Sequence, residues 1–129
     1  MKTESIIAEK AYVFAIEIVK LYKILAFSKK EYVLSKQLLR SGTSIGANVN
    51  EAVSAVSKKD FVHKLGISLK EARESAYWFR FLKDSDYIKP ADFNILNHSC
   101  DELIKILSSI IITTKQKYFT NKTQTTYNS

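Results

Sequence analysis

Four long apolar stripes, each at helical spacing, constrain this chain more than any other feature. Ile7, Ala11, Phe14, Ile18, Leu21 and Leu25 step by four and three. Leu34, Leu38, Ile45, Val49, Ala52 and Val56 make a second stripe, with Gly42 filling its gap. Phe61, Leu65, Leu69, Ala72, Ala76 and Phe79 make a third, and Phe93, Leu96, Cys100, Leu103, Leu107 and Ile110 a fourth. Such steps put the apolar side chains on one face of a helix, ready to be buried against other helices. No segment sustains the period-two alternation of a strand. Ser28-Lys29-Lys30-Glu31 and Ser57-Lys58-Lys59-Asp60 both have the form of a capping box, in which a Ser hydroxyl accepts from an orphan backbone N–H. Pro90 suits the first turn of a helix, where its missing N–H costs nothing. These signals predict helices over residues 3–27, 29–56, 58–84 and 90–117. Short connections make sequential neighbours antiparallel. The expected fold is therefore all-α, an antiparallel up-down-up-down four-helix bundle over residues 1–117. Residues 118–129, rich in Thr, Asn and Gln, read as a polar, disordered tail.

Composition narrows the function classes. A chain of 129 residues supports one domain and one core. One Pro and three Gly are too few for a sandwich or barrel of many short strands. The single Cys100 cannot build a disulfide framework or a Cys-based zinc site. No apolar run reaches the roughly 18 residues that span a bilayer. The opening Met1-Lys2-Thr3-Glu4-Ser5 does not read as a signal peptide, so a cytoplasmic location is expected. The formal charge of +7 favours anionic partners, RNA or DNA or an acidic protein face, although surface charge also serves solubility.

No residue pattern points to catalysis. Glu71 and Glu74 lie one turn apart, but the di-iron arrangement needs Glu-x-x-His on two helices, and neither His63 nor His98 supplies it. No Cys–His or Ser–His–Asp spacing marks a nucleophile. The chain is expected to be no enzyme and to need no metal or cofactor.

The segment Arg40 to Glu51 is the sharpest local feature, holding Gly42 and Gly46 among small polar residues. It lacks the Lys-Ser/Thr end of a phosphate-binding loop and no strand precedes it. A break in the helix is conceivable, since two Gly cost about 2 kcal/mol there relative to Ala. The favoured reading is a close helix–helix contact on the face where Gly42 and Gly46 remove side-chain bulk. Arg40, Ser44, Asn48 and Glu51 form a polar stripe that, with Glu71 and Glu74, could join the second and third helices in a hydrogen-bond network. Were that network buried, removing one member would cost about 3–5 kcal/mol. Exposed, it would be a solvated face.

Two motifs carry a family resemblance. Gln37-Leu38-Leu39-Arg40-Ser41-Gly42-Thr43-Ser44-Ile45-Gly46-Ala47-Asn48-Val49-Asn50-Glu51-Ala52 resembles the signature of the 23S ribosomal RNA intervening-sequence proteins. Lys58-Lys59-Asp60-Phe61, running through Leu69-Lys70-Glu71-Ala72-Arg73-Glu74 to Tyr77-Trp78, resembles it as well. The resemblance covers residues from about 7 to 115. It implies an antiparallel four-helix bundle that assembles as a homopentameric ring. A related branch, the accessory protein of diversity-generating retroelements, is basic, binds nucleic acid and partners a reverse transcriptase.

The leading expectation is a non-enzymatic oligomeric scaffold that binds RNA or DNA through backbone phosphates. Residues 58–89 carry eight Lys/Arg against five Asp/Glu, and the rest of the excess is spread along the chain. Lys58, Lys59, Lys64, Arg73, Arg80 and Lys83 form the expected contact set. Lys70 reads as an i,i+4 partner of Glu74. Five copies would carry about +35, a field that draws in polyanions. Tyr12, Val19, Tyr22, Trp78 and Phe81 lie off the stripes, which supports a homo-oligomer. The alternative is a protein-interaction module that recruits a partner, such as a reverse transcriptase, without binding nucleic acid.

Overall fold

The computed structural model describes residues 2–120 and contains four antiparallel helices. Helix α1 spans Lys2–Lys23 and runs on through a wider π turn, Ile24–Ser28. Helix α2 spans Leu34–Val53, α3 Lys58–Asp84 and α4 Pro90–Lys115, the last continuing in a π turn, Gln116–Thr120. Helical structure thus reaches three residues past the expected limit of 117. The rest of the expected tail, 121–129, lies outside the described residues.

The four stripes meet in one core. Ile7, Ala11, Phe14 and Ile18 of α1, Leu38, Ile45 and Val49 of α2, Phe61, Leu65 and Phe79 of α3, and Cys100, Leu103 and Leu107 of α4 are all buried there. Phe14 meets Phe79 edge to face, ring centroids 6.0 Å apart, across the middle of the bundle. On α3 the buried row is Phe61, Leu65, Ser68, Ala72, Ser75, Phe79 and Leu82, an unbroken alternation of four and three. Leu69 and Ala76, expected in that row, sit half-buried at its side. Serines take the central positions because α2 passes close to α3 there. Ser68 Oγ donates to the Ile45 carbonyl at 2.8 Å, and Ser75 Oγ meets Ser41 Oγ at 3.0 Å. Each buried hydroxyl is thereby satisfied without side-chain bulk.

The glycines serve the adjoining face of α2, the one that meets α1. A Cβ on Gly42 would stand 2.7 Å from Ile18 Cγ1, and one on Gly46 would stand 3.4 Å from the Ala11 carbonyl oxygen. Gly42 and Gly46 therefore let α1 approach α2, as the close-contact reading requires.

Two boundaries differ from expectation. Ser57 Oγ does accept from Asp60 N–H at 3.0 Å and caps α3. Ser28 does not cap α2, which starts at Leu34 instead of residue 29. The chain first turns through Lys30 in a left-handed conformation (φ 59°). Glu31 then does the capping: its carboxylate accepts from the backbone N–H groups of Val33, Leu34 and Ser35 at 3.0, 3.1 and 2.7 Å. Burial alone would raise the Glu31 pKa, but those three donors outweigh it and hold the carboxyl below its usual range. At the other end α2 stops at Val53, so Val56 lies in the turn, 97% exposed and outside the stripe.

Candidate nucleic-acid interface

The polar stripe of α2 does reach α3, but not as one network. The Arg40 guanidinium donates to Glu71 at 2.8 Å and also to Glu74. Glu74 in turn accepts from Trp78 Nε1 at 3.0 Å. Hydrogen bonds to Glu71 and Glu74 raise the Arg40 pKa; the Trp78 N–H, opposed by burial and helped by Arg40, lowers that of Glu74. Glu51 stands apart and pairs with Lys64 at 2.8 Å, which raises the Lys64 pKa. Ser44 and Asn48 turn back onto their own helix: Ser44 Oγ donates to the Arg40 carbonyl at 2.5 Å, and Asn48 Nδ2 to the Ser44 carbonyl at 2.9 Å. The network is also half open, since the Arg40 side chain is 50% exposed and that of Glu71 only 14%.

The expected basic contacts fall into two groups. Lys64 is held by Glu51. Lys83 is half-buried, with its ammonium 4.4 Å from the Phe93 ring centroid and 3.7 Å from Asp84. Lys58 lies over the Tyr118 ring at 4.9 Å, on the side of α3 that faces α4. Lys59, Arg73 and Arg80 differ: they share the outward face of α3. Lys59, His63, Gly66, Lys70, Arg73, Tyr77 and Arg80 alternate steps of four and three, which stacks them in one row about 32 Å long. Gly66 within that row points into open space. Among the described residues, no acidic side chain lies within ion-pair distance of Lys59, Lys70, Arg73 or Arg80. Lys70 and Glu74 do not close an ion pair, because Arg40 and Trp78 already hold the Glu74 carboxylate; Lys70 only contributes its charge from further away.

Lys70, Tyr77 and Phe81 were not in the expected contact set. The signal for the first two was the same alternation that marks the buried rows, carried here by basic and aromatic residues instead of apolar ones.

The buried thiol and the buried serines of the core are engaged in structural bonds. Cys100 is buried with its Sγ 3.1 Å from the Ala72 carbonyl, and burial pushes its thiol up to about 12. Ser35, Ser68 and Ser75 donate to backbone carbonyls or to another serine. Among the described residues no three His, Cys, Asp or Glu side chains group as metal ligands, and no helix is long and apolar enough to cross a membrane.

The sequence model of the 23S rRNA-intervening sequence protein family matches residues 3–109. The chain belongs to that family. A crystal structure from Bacteroides thetaiotaomicron, described as a protein of unknown function from the S23 ribosomal protein family, is similar to it at 47% identity with a TM-score of 0.83. That alignment covers 84% of this chain and 97% of the other. No curated protein matches the sequence.

Proposed function

We propose that this family member is a non-enzymatic, homo-oligomeric scaffold that binds RNA or DNA through phosphate contacts on the outer face of α3. The observation that carries the reading is the row of Lys59, Lys70, Arg73 and Arg80, all exposed and none within ion-pair distance of an acid among the described residues. Unpaired cations in a line suit the regular charge of a nucleic-acid backbone and carry no means of reading bases in a groove. The apolar residues left outside the core support assembly. Tyr12, Val13 and Ile16 of α1 are exposed, and Ile95 of α4 is 68% exposed. A homopentameric ring, as the family resemblance implies, would cover that side and repeat the basic row around its circumference.

Affinity for nucleic acid should fall with a log–log salt slope of about −0.7 to −0.9 per phosphate neutralised. Arg73→Glu combined with Arg80→Glu should weaken binding to all sequences alike and make the slope shallower. Binding measured by fluorescence anisotropy across a salt series checks both. A wild-type protein that bound no nucleic acid at about 50 mM salt would sink this reading.

The α1–α4 groove favours a second reading. It is a cleft of about 350 Å³ lined by Val13, Phe14, Ile95, Leu96 and Leu103, with Lys10 and Glu102 paired at its rim at 3.2 Å. An apolar cleft with a polar rim also fits a partner protein such as a reverse transcriptase. The same salt series separates the two: a folded chain that binds neither RNA nor DNA leaves the groove to a partner protein.

A further inference from the structure

The basic row of α3 is interrupted by aromatic rings that no core requires. Tyr77 is 55% and Phe81 43% exposed. Their ring centroids lie 6.0 Å apart, and both lean on Trp78, at 5.1 and 6.1 Å. Trp78 is itself fixed, because its Nε1 donates to Glu74 at 3.0 Å and Glu74 is held by Arg40. The cluster is thus braced by an ion pair on its α2 side and open on the other. Beside it lies a shallow cleft of about 270 Å³, lined by Tyr77, Arg80, Phe81, Asp84 and Ser85. That is slightly below the size of drug-binding pockets and suits a single planar ring system.

We propose that Tyr77 and Phe81, braced on Trp78 and flanked by Arg73 and Arg80, form a stacking site for the unpaired bases of single-stranded nucleic acid. The inference rests on the nucleic-acid reading above and adds that bases take part, which excludes an intact duplex as the preferred ligand. Aromatic faces alternating with cations are the combination that single strands need: rings stack on bases of any identity while Arg and Lys follow the phosphates. Arg80 and Asp84 share the cleft, with Lys83 3.7 Å from the Asp84 carboxylate. Arg80 can hold a phosphate at its edge, and Asp84 can accept from an N–H of an inserted base. A two-fold contact between copies at this face would oppose Lys70, Arg73 and Arg80 to one another; a ring contact joins unlike faces, and the test below separates it from stacking.

Trp78 is the single tryptophan, so its fluorescence reports on this site alone. The full chain is titrated at about 50 mM salt with an oligothymidylate of about 12 nucleotides, with an abasic strand of equal length and charge, and with a duplex of equal length. The oligothymidylate should bind about tenfold or more tighter than the abasic strand and should quench Trp78. Tyr77→Leu and Phe81→Leu should abolish the preference for bases and leave the salt slope unchanged, whereas Tyr77→Phe should retain both. Unchanged melting temperatures show that these variants fold. Equal affinity for the base-bearing and abasic strands, without quenching, overturns stacking and leaves phosphate binding standing. Tighter binding of the duplex overturns it too. Failure of every strand to bind overturns both readings. A change of oligomeric state on Tyr77→Leu assigns the rings to an interface between copies and also overturns stacking.

Discussion

The two seams at opposite sides of this bundle are built differently. Between α2 and α3 the chain spends small and polar residues: Ser41 meets Ser75, Ser68 reaches the Ile45 carbonyl, and Arg40 clamps Glu71 and Glu74 at the outer edge. Between α1 and α4 it leaves a groove lined by Val13, Ile95 and Leu96 and bridged at the rim by Lys10 and Glu102. The first seam is closed by directional bonds at fixed positions. The second has apolar surface still to bury. The α2–α3 seam is the more completely bonded of the two, and the groove is where the proposed association would act. Substitutions should therefore divide by location: in and around α2 they act on folding, along the groove on assembly.

The largest effect should come from filling the space that keeps α2 close to its neighbours. Gly42→Val would drive Cβ to within 2.7 Å of Ile18 Cγ1, a side chain that is itself fully buried. Overpacking of this kind typically costs about 1–3 kcal/mol, and a β-branched residue adds little helix propensity to offset it. Chemical denaturation should show a loss near the top of that range. In the groove, Ile95→Ala should change monomer stability by less than about 0.5 kcal/mol and should instead weaken any assembly seen by light scattering. Equal destabilisation by both variants would erase the distinction between the packing around α2 and the groove.

Next in size is the cap of α2. Replacing Glu31 with Gln keeps an acceptor but removes the charge that three backbone N–H groups share. The expected loss at pH 7 is about 1–2 kcal/mol. The pH dependence has a definite sign. The folded carboxyl titrates below its unfolded value, so its contribution is complete above the ordinary Glu pKa of about 4.3. It declines as pH falls through the depressed folded value. The stability difference between wild type and Glu31→Gln should therefore shrink on acidification below about pH 4 and stay constant above about pH 6. A difference that grew with acidity would assign the cap to another group.

Most of the fold was legible in the sequence, because period and burial coincide along α1 and α4: Ile7, Ala11, Phe14 and Ile18, or Cys100, Leu103 and Leu107, are apolar where they are buried. Legibility failed where a polar residue does the packing. On α3 apolarity selects Leu69 and Ala76, while the buried row runs through Ser68 and Ser75, whose hydroxyls are satisfied by partners on α2. Composition cannot announce such partners, since they come from a distant segment. The start of α2 was misplaced for a related reason. Ser28-Lys29-Lys30-Glu31 matches a capping box, yet Glu31 is long enough to cap the helix that follows by itself. The basic row on α3 was half visible. Lys59, Arg73 and Arg80 stand out by charge, but only the structure separates them from Lys64, which Glu51 holds, and returns Lys70 to the set.

The smallest effects should come from the polar stripe, and they test how far the α2–α3 seam depends on charge. As a buried network, the stripe would lose about 3–5 kcal/mol with any one member. The geometry divides it. Asn48 bonds within its own helix, and the Glu51–Lys64 pair is exposed, so Asn48→Ala and Glu51→Ala should each cost less than about 1 kcal/mol. Arg40→Met should cost more, about 1 kcal/mol, because it strands Glu71 in a largely buried position while keeping the aliphatic stem. It should also free the Glu74 carboxylate that orients Trp78, shifting the emission of that ring, which Glu51→Ala should leave alone. Salt provides the last discrimination. Exposed pairs are screened within a Debye length of about 10 Å at 0.1 M, so the Glu51→Ala deficit should vanish at high ionic strength. The Arg40→Met deficit should persist, since Glu71 remains shielded from water and its counterions. If both deficits vanished together, the clamp on α3 would be a surface pair, and the serines alone would hold the seam.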